Sequence, residues 1–469
     1  MQGEVITIDK LPDEVLLAIF DFYVDKDSFK RKEVETWQSL VHVCRRWRSV
    51  VFGSPRRLNL RLVCQAETSV RDRLDVWPPL PLVVWDSLSE EHVDNIVAVL
   101  ERSDRVCQID LGLIYGISSW VVVLAPMQKT FPELTDLVLY SHCPMATFLP
   151  NSFLGGSAPR LRKLRLDGVS FPGLPNLLLS AAHLVKIQLH NIHYFSHFSP
   201  DEWVTVFSTL TSLRLLSLNF LSPRSRSDQK SRCPPTRSLL PNLDTLQYEG
   251  VSEYLDNLVA HIDAPRLKNL VINFDEDILD ASQITQFIGR TPAFEALKKA
   301  HVPLDGAGVK LSSETSGYRG LEVNFLCVDL FWQLSSLKRF CTSCLPLSAL
   351  EDLYISENIY PRPIWADDAE NILWPELLHP FTSVKNLYLS EDIVPRIPPT
   401  LQELVVDSTT EVLPMAQNIF LGGLQPRRPI PEGIEKFIAA RQLSGRPITV
   451  STIPLRERDS MPGWVVDFK

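Results

Sequence analysis

Leu134-Thr135-Asp136-Leu137-Val138-Leu139 reads L-x-x-L-x-L, and the same figure returns along most of the chain. Close copies begin at Leu161, Leu184, Leu213, Leu243, Leu267, Leu350, Val384 and Leu401, each with apolar residues three and five positions further on. Weaker copies are Leu80/Val83/Trp85, Val106/Ile109/Leu111 and Tyr318/Leu321/Val323, and the stretch from Phe294 to His301 is degenerate. The last two apolar residues of each figure stand two apart, the period of a strand that turns alternate side chains to opposite faces. Helical stripes lie between copies: Val93, Ile96, Val97 and Leu100; Trp203, Val206, Phe207 and Leu210; Leu255, Leu258, Val259 and Ile262. Ser199-Pro200-Asp201-Glu202 opens the second of these with capping-box spacing. The repeating unit is therefore strand, turn, helix, strand.

Such a unit cannot bury its own apolar face, whereas stacked neighbours can. The pattern predicts an α/β protein whose residues 58–455 form an irregular solenoid, a curved parallel strand layer with outer helices and loops, and in this it resembles the leucine-rich repeats. The long Val/Ile runs and glycine-rich strand-to-helix turns of a doubly wound domain are missing. The Arg/Ser/Pro-rich stretch 222–237 is expected to be a flexible insertion, Glu432–Leu443 a helix, Pro447–Ile453 a closing strand and 456–469 a tail. Outward strand positions would line one concave wall. Tyr140, Lys163, Arg165, His190, Gln247, Asn269, Tyr354 and Tyr388 are its candidate contacts to a protein target, because mixed polar and tyrosine side chains suit protein recognition.

Residues 1–57 read differently. In Leu11-Pro12-Asp13-Glu14-Val15-Leu16-Leu17-Ala18-Ile19-Phe20-Asp21-Phe22-Tyr23-Val24, Pro12 suits a first helical turn, and Asp13 and Glu14 suit the positive end of the helix dipole. Leu11, Val15, Ile19 and Phe22 make one apolar stripe of this helix, and Leu16, Phe20 and Tyr23 make a second. Trp37, Leu40, Val41 and Cys44 predict another helix, and Val43, Trp47, Val50 and Val51 a third that Gly53-Ser54-Pro55 ends. Three short helices supply little core, and each large apolar side chain left in water forgoes roughly 1.5–3 kcal/mol of burial. Internal packing needs only one of the two stripes of the first helix, so the other is expected to face a partner.

Leu11-Pro12-Asp13-Glu14 together with Val43-Cys44-Arg45-Arg46-Trp47 resembles the F-box motif, in the F-box-like variant common in fungal proteins. The resemblance covers residues 6–53 and departs from the usual pattern in a longer, charged stretch between Phe20 and Val43 that includes Trp37. It implies docking on a Skp-type adaptor, which links such helices to a cullin–RING ubiquitin ligase. Carried over residue by residue, it implies roles for Leu11, Pro12, Leu16, Ile19, Phe20, Val43 and Trp47 in that contact or in the packing behind it.

Composition removes several function classes. The 469 residues carry 47 Lys+Arg against 56 Asp+Glu, a formal net charge of −9, with 45% hydrophobic residues, so a large core is available and a general polyanion binder is not expected. The densest basic cluster is Arg45, Arg46, Arg48, Arg56, Arg57 and Arg61, and no nucleic-acid partner is expected from it. The longest apolar run, Trp120–Met127, falls far short of the roughly 20 residues a membrane span needs. The first ten residues lack the basic start and apolar stretch of a secretory signal. Eight cysteines are scattered and no Asn-x-Ser/Thr acceptor occurs, so a reducing compartment, cytosol or nucleus, is expected.

His190, His193 and His197 lack a Glu or Cys companion at convincing ligand spacing, and Cys341-Thr342-Ser343-Cys344 is a lone pair, so neither enters the candidate site. Phosphate-loop, dinucleotide, nucleophile-elbow and zinc-protease motifs are all missing. No cofactor and no metal is expected. The leading expectation is a non-enzymatic substrate receptor of a Skp–cullin–F-box type ligase. A repeat scaffold unconnected to ubiquitin and an α/β enzyme are the alternatives.

Overall fold

A computed structural model describes residues 8–24, 36–67, 74–88, 93–113, 117–142, 147–193, 200–221, 237–275, 281–295, 297–303, 308–312, 320–326, 330–344, 347–356, 377–390, 393–394, 412–422 and 430–453. The insertion expected at 222–237 (all but its last residue), the tail 456–469, the copy beginning at Leu401, Tyr318, Ser199 and His197 lie outside them. The chain divides into two compact units, Met1–Ser196 and His197–Lys469. Both are mixed α/β, each with a sheet whose strands are mostly parallel.

The first unit opens with α1 (Asp13–Tyr23), α2 (Thr36–Val43) and α3 (Arg45–Gly53). Pro12 stands one position earlier than the sequence suggested. It is the cap, with an extended ψ of 153°, and its carbonyl accepts from the N–H groups of Val15 and Leu16 at 3.1 Å. Between α2 and α3 the chain turns on a single extended residue, Cys44, whose sulfur accepts from the Trp47 N–H at 3.4 Å. Leu16, Phe20, Val24, Leu40, Val41, Val50 and Val51 close the helical core. Leu58, Leu60 and Leu80 belong to the same core, which therefore runs from the helices into the start of the sheet.

Trp37 makes that junction. Its buried ring meets Phe52 edge-on at 6.0 Å and Trp77 at 5.2 Å, and its indole N–H donates to the Arg61 carbonyl at 3.1 Å. A buried indole needs such a partner, since the polar nitrogen is otherwise stranded in an apolar setting. The residue that departs from the usual motif is thus the one that anchors the helices to the rest of the unit.

Beyond it run β1 (Leu62–Cys64), β2 (Leu82–Leu88), α4 (Val93–Leu100), β3 (Val106–Leu113), α5 (Ile117–Leu124), β4 (Asp136–Ser141), β5 (Lys163–Asp167), α6 (Leu174–Ser180) and β6 (Lys186–His193). The six strands pair in chain order, all parallel. Leucines of successive copies are register partners, Leu137 with Leu164 and Ile187, Leu139 with Leu166 and Leu189, and all six are buried. The copy at Leu80 corrects the sequence reading. Leu82 and Val84 point inward, not Val83 and Trp85: the inward set of β2 stands one residue off the figure, and a one-residue offset exchanges the two faces, while the extra residue in the pairing with β3, Cys107, lies on β3.

The second unit contains α7 (Pro200–Phe207), β7 (Leu215–Leu221), β8 (Thr245–Gly250), α8 (Ser252–Ala260), β9 (Asn269–Phe274), α9 (Ser282–Gly289), β10 (Lys299–Pro303), β11 (Gly308–Ser312) and β12 (Gly320–Phe325). It continues with α10 (Leu330–Cys344), β13 (Asp352–Ser356), β14 (Asn386–Leu389), β15 (Asn418–Gly422), α11 (Glu432–Leu443) and β16 (Thr449–Ile453). The strand order is β7-β8-β9-β12-β11-β10-β13-β14-β15-β16.

A wholly parallel layer is therefore not what forms. β11 runs antiparallel to both β10 and β12, so the chain crosses this part of the sheet backwards before β13 resumes the parallel run. Residues 304–307 and 313–319 are too few for the dozen or more that a parallel crossover needs, and they leave hairpin pairing as the available connection. Gly320 permits the close pairing: a Cβ there would stand 2.0 Å from the Leu311 carbonyl oxygen. The degenerate copy is β10 itself, with Leu297, Ala300 and Val302 buried. β15 is a further copy, with Ala416, Ile419 and Leu421 buried.

Candidate functional site

The two stripes of α1 have separate fates. Leu16 and Phe20 are fully buried in the helical core, while Val15, Ile19 and Phe22 stand in water, Phe22 with 93% of its surface open. Tyr23, on the same stripe as Leu16 and Phe20, is also exposed, and Val43 at the end of α2 is 59% open. Of the residues that the motif singled out, Leu16 and Phe20 therefore belong to the packing and cannot touch a partner directly. Pro12, Ile19 and Val43 are on the surface, and Leu11 and Trp47 are half-buried. Val15, Phe22 and Tyr23 join the exposed set, a set that the stripe pattern reveals once the buried face is known.

The Val43-Cys44-Arg45-Arg46-Trp47-Arg48 run holds this surface in shape. Trp47 packs on Phe20 with ring centroids 4.7 Å apart, which places α3 against the inner stripe of α1. Arg46 donates to Asp13 Oδ1 at 2.7 Å and to the Leu11 carbonyl, pinning the start of α1. Arg48 donates to the Val41 carbonyl at 3.0 Å, satisfying a backbone acceptor at the end of α2. Two arginines of the basic cluster are thus internal struts.

On the sheet of the first unit, Asp136, Lys163 and Lys186 form one cross-strand row, Val138, Arg165 and Gln188 the next, and Tyr140, Asp167 and His190 a third. Lys163 pairs with Asp136 at 3.0 Å and Arg165 with Asp167 at 3.0 Å. The cations are half-exposed, at 50% and 45%, but both carboxylates are only 17% open. Burial would raise the Asp136 carboxyl, yet hydrogen bonds from Thr135, Gln108 and Lys163 hold it below its ordinary range. Asp167 is likewise held low against burial, by Asn191 and Arg165. Burial and then the Arg165 and Lys163 charges lower the Lys186 ammonium. Tyr140 lies down over Gly112 rather than standing outward. A Cβ at Gly112 would overlap its ring, and its hydroxyl meets Ser87 Oγ at 3.0 Å.

In the second unit Gln247 and Asn269 occupy half-exposed positions. His301, Tyr354, Tyr388 and Phe420 share one row. Tyr354 and Tyr388 stack at 4.2 Å, and Tyr388 and Phe420 at 4.5 Å. Tyr354 is only 8% exposed, which corrects its assignment to an open wall: the Tyr388 ring on one side and the β10 strand on the other leave its face covered. Tyr388 remains half-exposed.

Residues 8–61 match the family model named F-box-like. No curated protein matches the chain. The F-box-like segment contains all three helices and ends at Arg61, the residue whose carbonyl Trp37 bonds. The longer stretch before α2 is accommodated within that match.

Outside the F-box-like segment, His301 Nε2 and Ser356 Oγ are 2.7 Å apart, a spacing that a hydrolytic serine–histidine pair would use. The imidazole is buried, and burial followed by the Lys310 charge pushes it down to about 4. Burial thus weakens it as a general base towards the serine. Among the described residues no group of three His, Cys, Asp or Glu could hold a metal ion, and no helix is long and apolar enough to cross a membrane. His190 is half-buried in β6, and Cys341 is buried in α10.

Proposed function

We propose that the protein is the substrate-recognition subunit of a Skp–cullin–F-box type ubiquitin ligase, working in the cytosol or nucleus. The F-box-like segment docks on a Skp-type adaptor, and the repeat-like sheets receive a protein target. The carrying observation is the open stripe of Val15, Ile19 and Phe22 above a helical core closed on its other side. An apolar strip fixed in this way by Arg46 and Trp47 suits a permanent helix partner better than transient solvent contact. The chain would supply proximity, raising the effective concentration of target lysines near a ubiquitin thioester, with bond chemistry residing in other subunits.

Co-expression with a Skp-type adaptor tests the reading. Wild type is expected to elute with the adaptor at one to one, and Ile19→Asp/Phe22→Asp to elute alone with its melting temperature kept. Failure of the wild type to retain adaptor would leave a repeat scaffold without a ligase.

A further inference from the structure

The row of rings on β13, β14 and β15 is open at one end. Tyr354 and Tyr388 stack at 4.2 Å, Tyr388 and Phe420 at 4.5 Å, with planes only 8° and 10° from parallel. Neighbouring strands lie about 4.8 Å apart, so each strand that carries a ring at this register adds one step to the stack. β16 is the last strand in the sheet order and sets Ser451 opposite Phe420. Ser451 is exposed, and among the described residues no ring covers the far face of Phe420. The stack thus ends on an aromatic face beside a small hydroxyl.

A polar row runs alongside it, two residues earlier on the same strands. Asp352, Asn386 and Asn418 are register partners. Asn386 Nδ2 donates to Asp352 Oδ1 at 2.7 Å, and Asn418 Nδ2 donates to Asn386 Oδ1 at 2.8 Å. A carboxylate only accepts, so Asp352 sets the direction of both amides. The row must then end in a carbonyl: Asn418 Oδ1 is left on the side of β16 and accepts no hydrogen bond among the described residues. Its register partner, Thr449, is exposed. One ring face and one acceptor therefore meet at this edge, separated by two residues of β15, about 6.6 Å.

We propose that this edge of the second unit binds a tryptophan side chain of the protein target, its indole stacked on Phe420 over Ser451 and its N–H donated to Asn418 Oδ1. The inference deepens the reading of the repeat-like sheets as target-binding and rests on it. The stack asks for a flat ring and the amide row asks for a donor. Phenylalanine supplies only the first, whereas indole joins a donor to an apolar plane long enough to cover both positions. A nucleotide fits less well, because β15 and β16 hold no Lys or Arg to meet its phosphates.

Saturation-transfer NMR of N-acetyltryptophanamide with the full chain tests this. Wild type is expected to saturate the indole protons, and Phe420→Ala and Asn418→Leu to reduce the effect by about fivefold or more. Ser451→Tyr puts this chain's own ring in the open place. It is expected to abolish binding and to melt no lower than wild type, because cross-strand aromatic pairs stabilise a sheet. The 1-methylindole analogue of the probe keeps the ring and loses the donor, and is expected to bind wild type about fivefold more weakly, a readout that no change of fold can imitate. Phe148→Ala, which removes a ring 48% exposed on the first unit, is expected to leave the signal within about twofold. No signal from wild type, equal binding of the methylated probe, undiminished binding to Ser451→Tyr, equal loss in Phe148→Ala, or stronger saturation of adenosine monophosphate would each overturn the proposal. Binding that appears only in Trp464→Ala would overturn it as well, by making this chain's own Trp464 the occupant. Adaptor capture is read separately, so a chain that holds adaptor but ignores the indole loses only this inference.

Discussion

Phe20 and Phe22 are two residues apart on α1, one with no exposed surface and the other almost wholly exposed. On a helix that offset turns a side chain by roughly 200°, so one faces the core and the other away from it. The consequence is testable at each site. Trp47→Ala removes the ring against Phe20 and is expected to cost the helical core about 3 kcal/mol, seen as faster amide exchange through α1 and α3. Phe22→Ala is expected to change exchange by less than about 0.5 kcal/mol while weakening adaptor capture. His301 gives a second residue-scale prediction. Its folded value of about 4 lies below the ordinary 6.5, so the folded state favours the neutral ring. The stability this contributes is full above pH 6.5 and is lost as pH falls towards 4, a change of about 3 kcal/mol. Melting temperature against pH should show that slope in wild type and not in His301→Gln, whose amide can still meet Ser356. What the sequence left hidden at this scale is orientation. Alternation says which face Tyr140 and Tyr354 belong to, but not that one lies over Gly112 and the other beneath Tyr388.

At the scale of elements, the leucine figure identified most strands because inward leucines must meet leucines of the next strand in register. It failed in three instructive ways. The figure lay one residue off the inward face of β2, alanine stood in for leucine in β10, and the figure carries no information on strand direction, so β11 was unforeseen. Connector length was the available signal for the last of these, since residues 304–307 and 313–319 are hairpin-sized. Gly320→Val is expected to break the β11–β12 pairing, because the added carbon atoms meet the Leu311 carbonyl and not a movable side chain. Limited proteolysis should then cut within 299–325 at conditions where wild type resists.

Taken whole, the chain joins its helices to its first sheet through one core, and this makes the F-box-like segment a poor candidate for simple excision. Removing residues 1–57 would expose Leu58, Leu60, Leu80 and Trp77, formerly covered by Leu40, Val51 and Trp37. That truncation is expected to be less soluble and lower melting than Ile19→Asp/Phe22→Asp, even though both lose the adaptor. The candidate site was legible in outline, because an apolar stripe beyond what three helices need is visible in Val15, Ile19 and Phe22. The struts were not, since nothing in Arg46 or Arg48 as residue types distinguishes an internal hydrogen bond from a solvated charge.

Hydrogen–deuterium exchange of the full chain, with and without a purified Skp-type adaptor, bears most directly on the central claim. Slowed exchange on adding adaptor is expected along α1 and at the junction of α2 with α3, with β1 to β6 unchanged. Identical exchange in the two samples, or protection confined to the sheets, would contradict it.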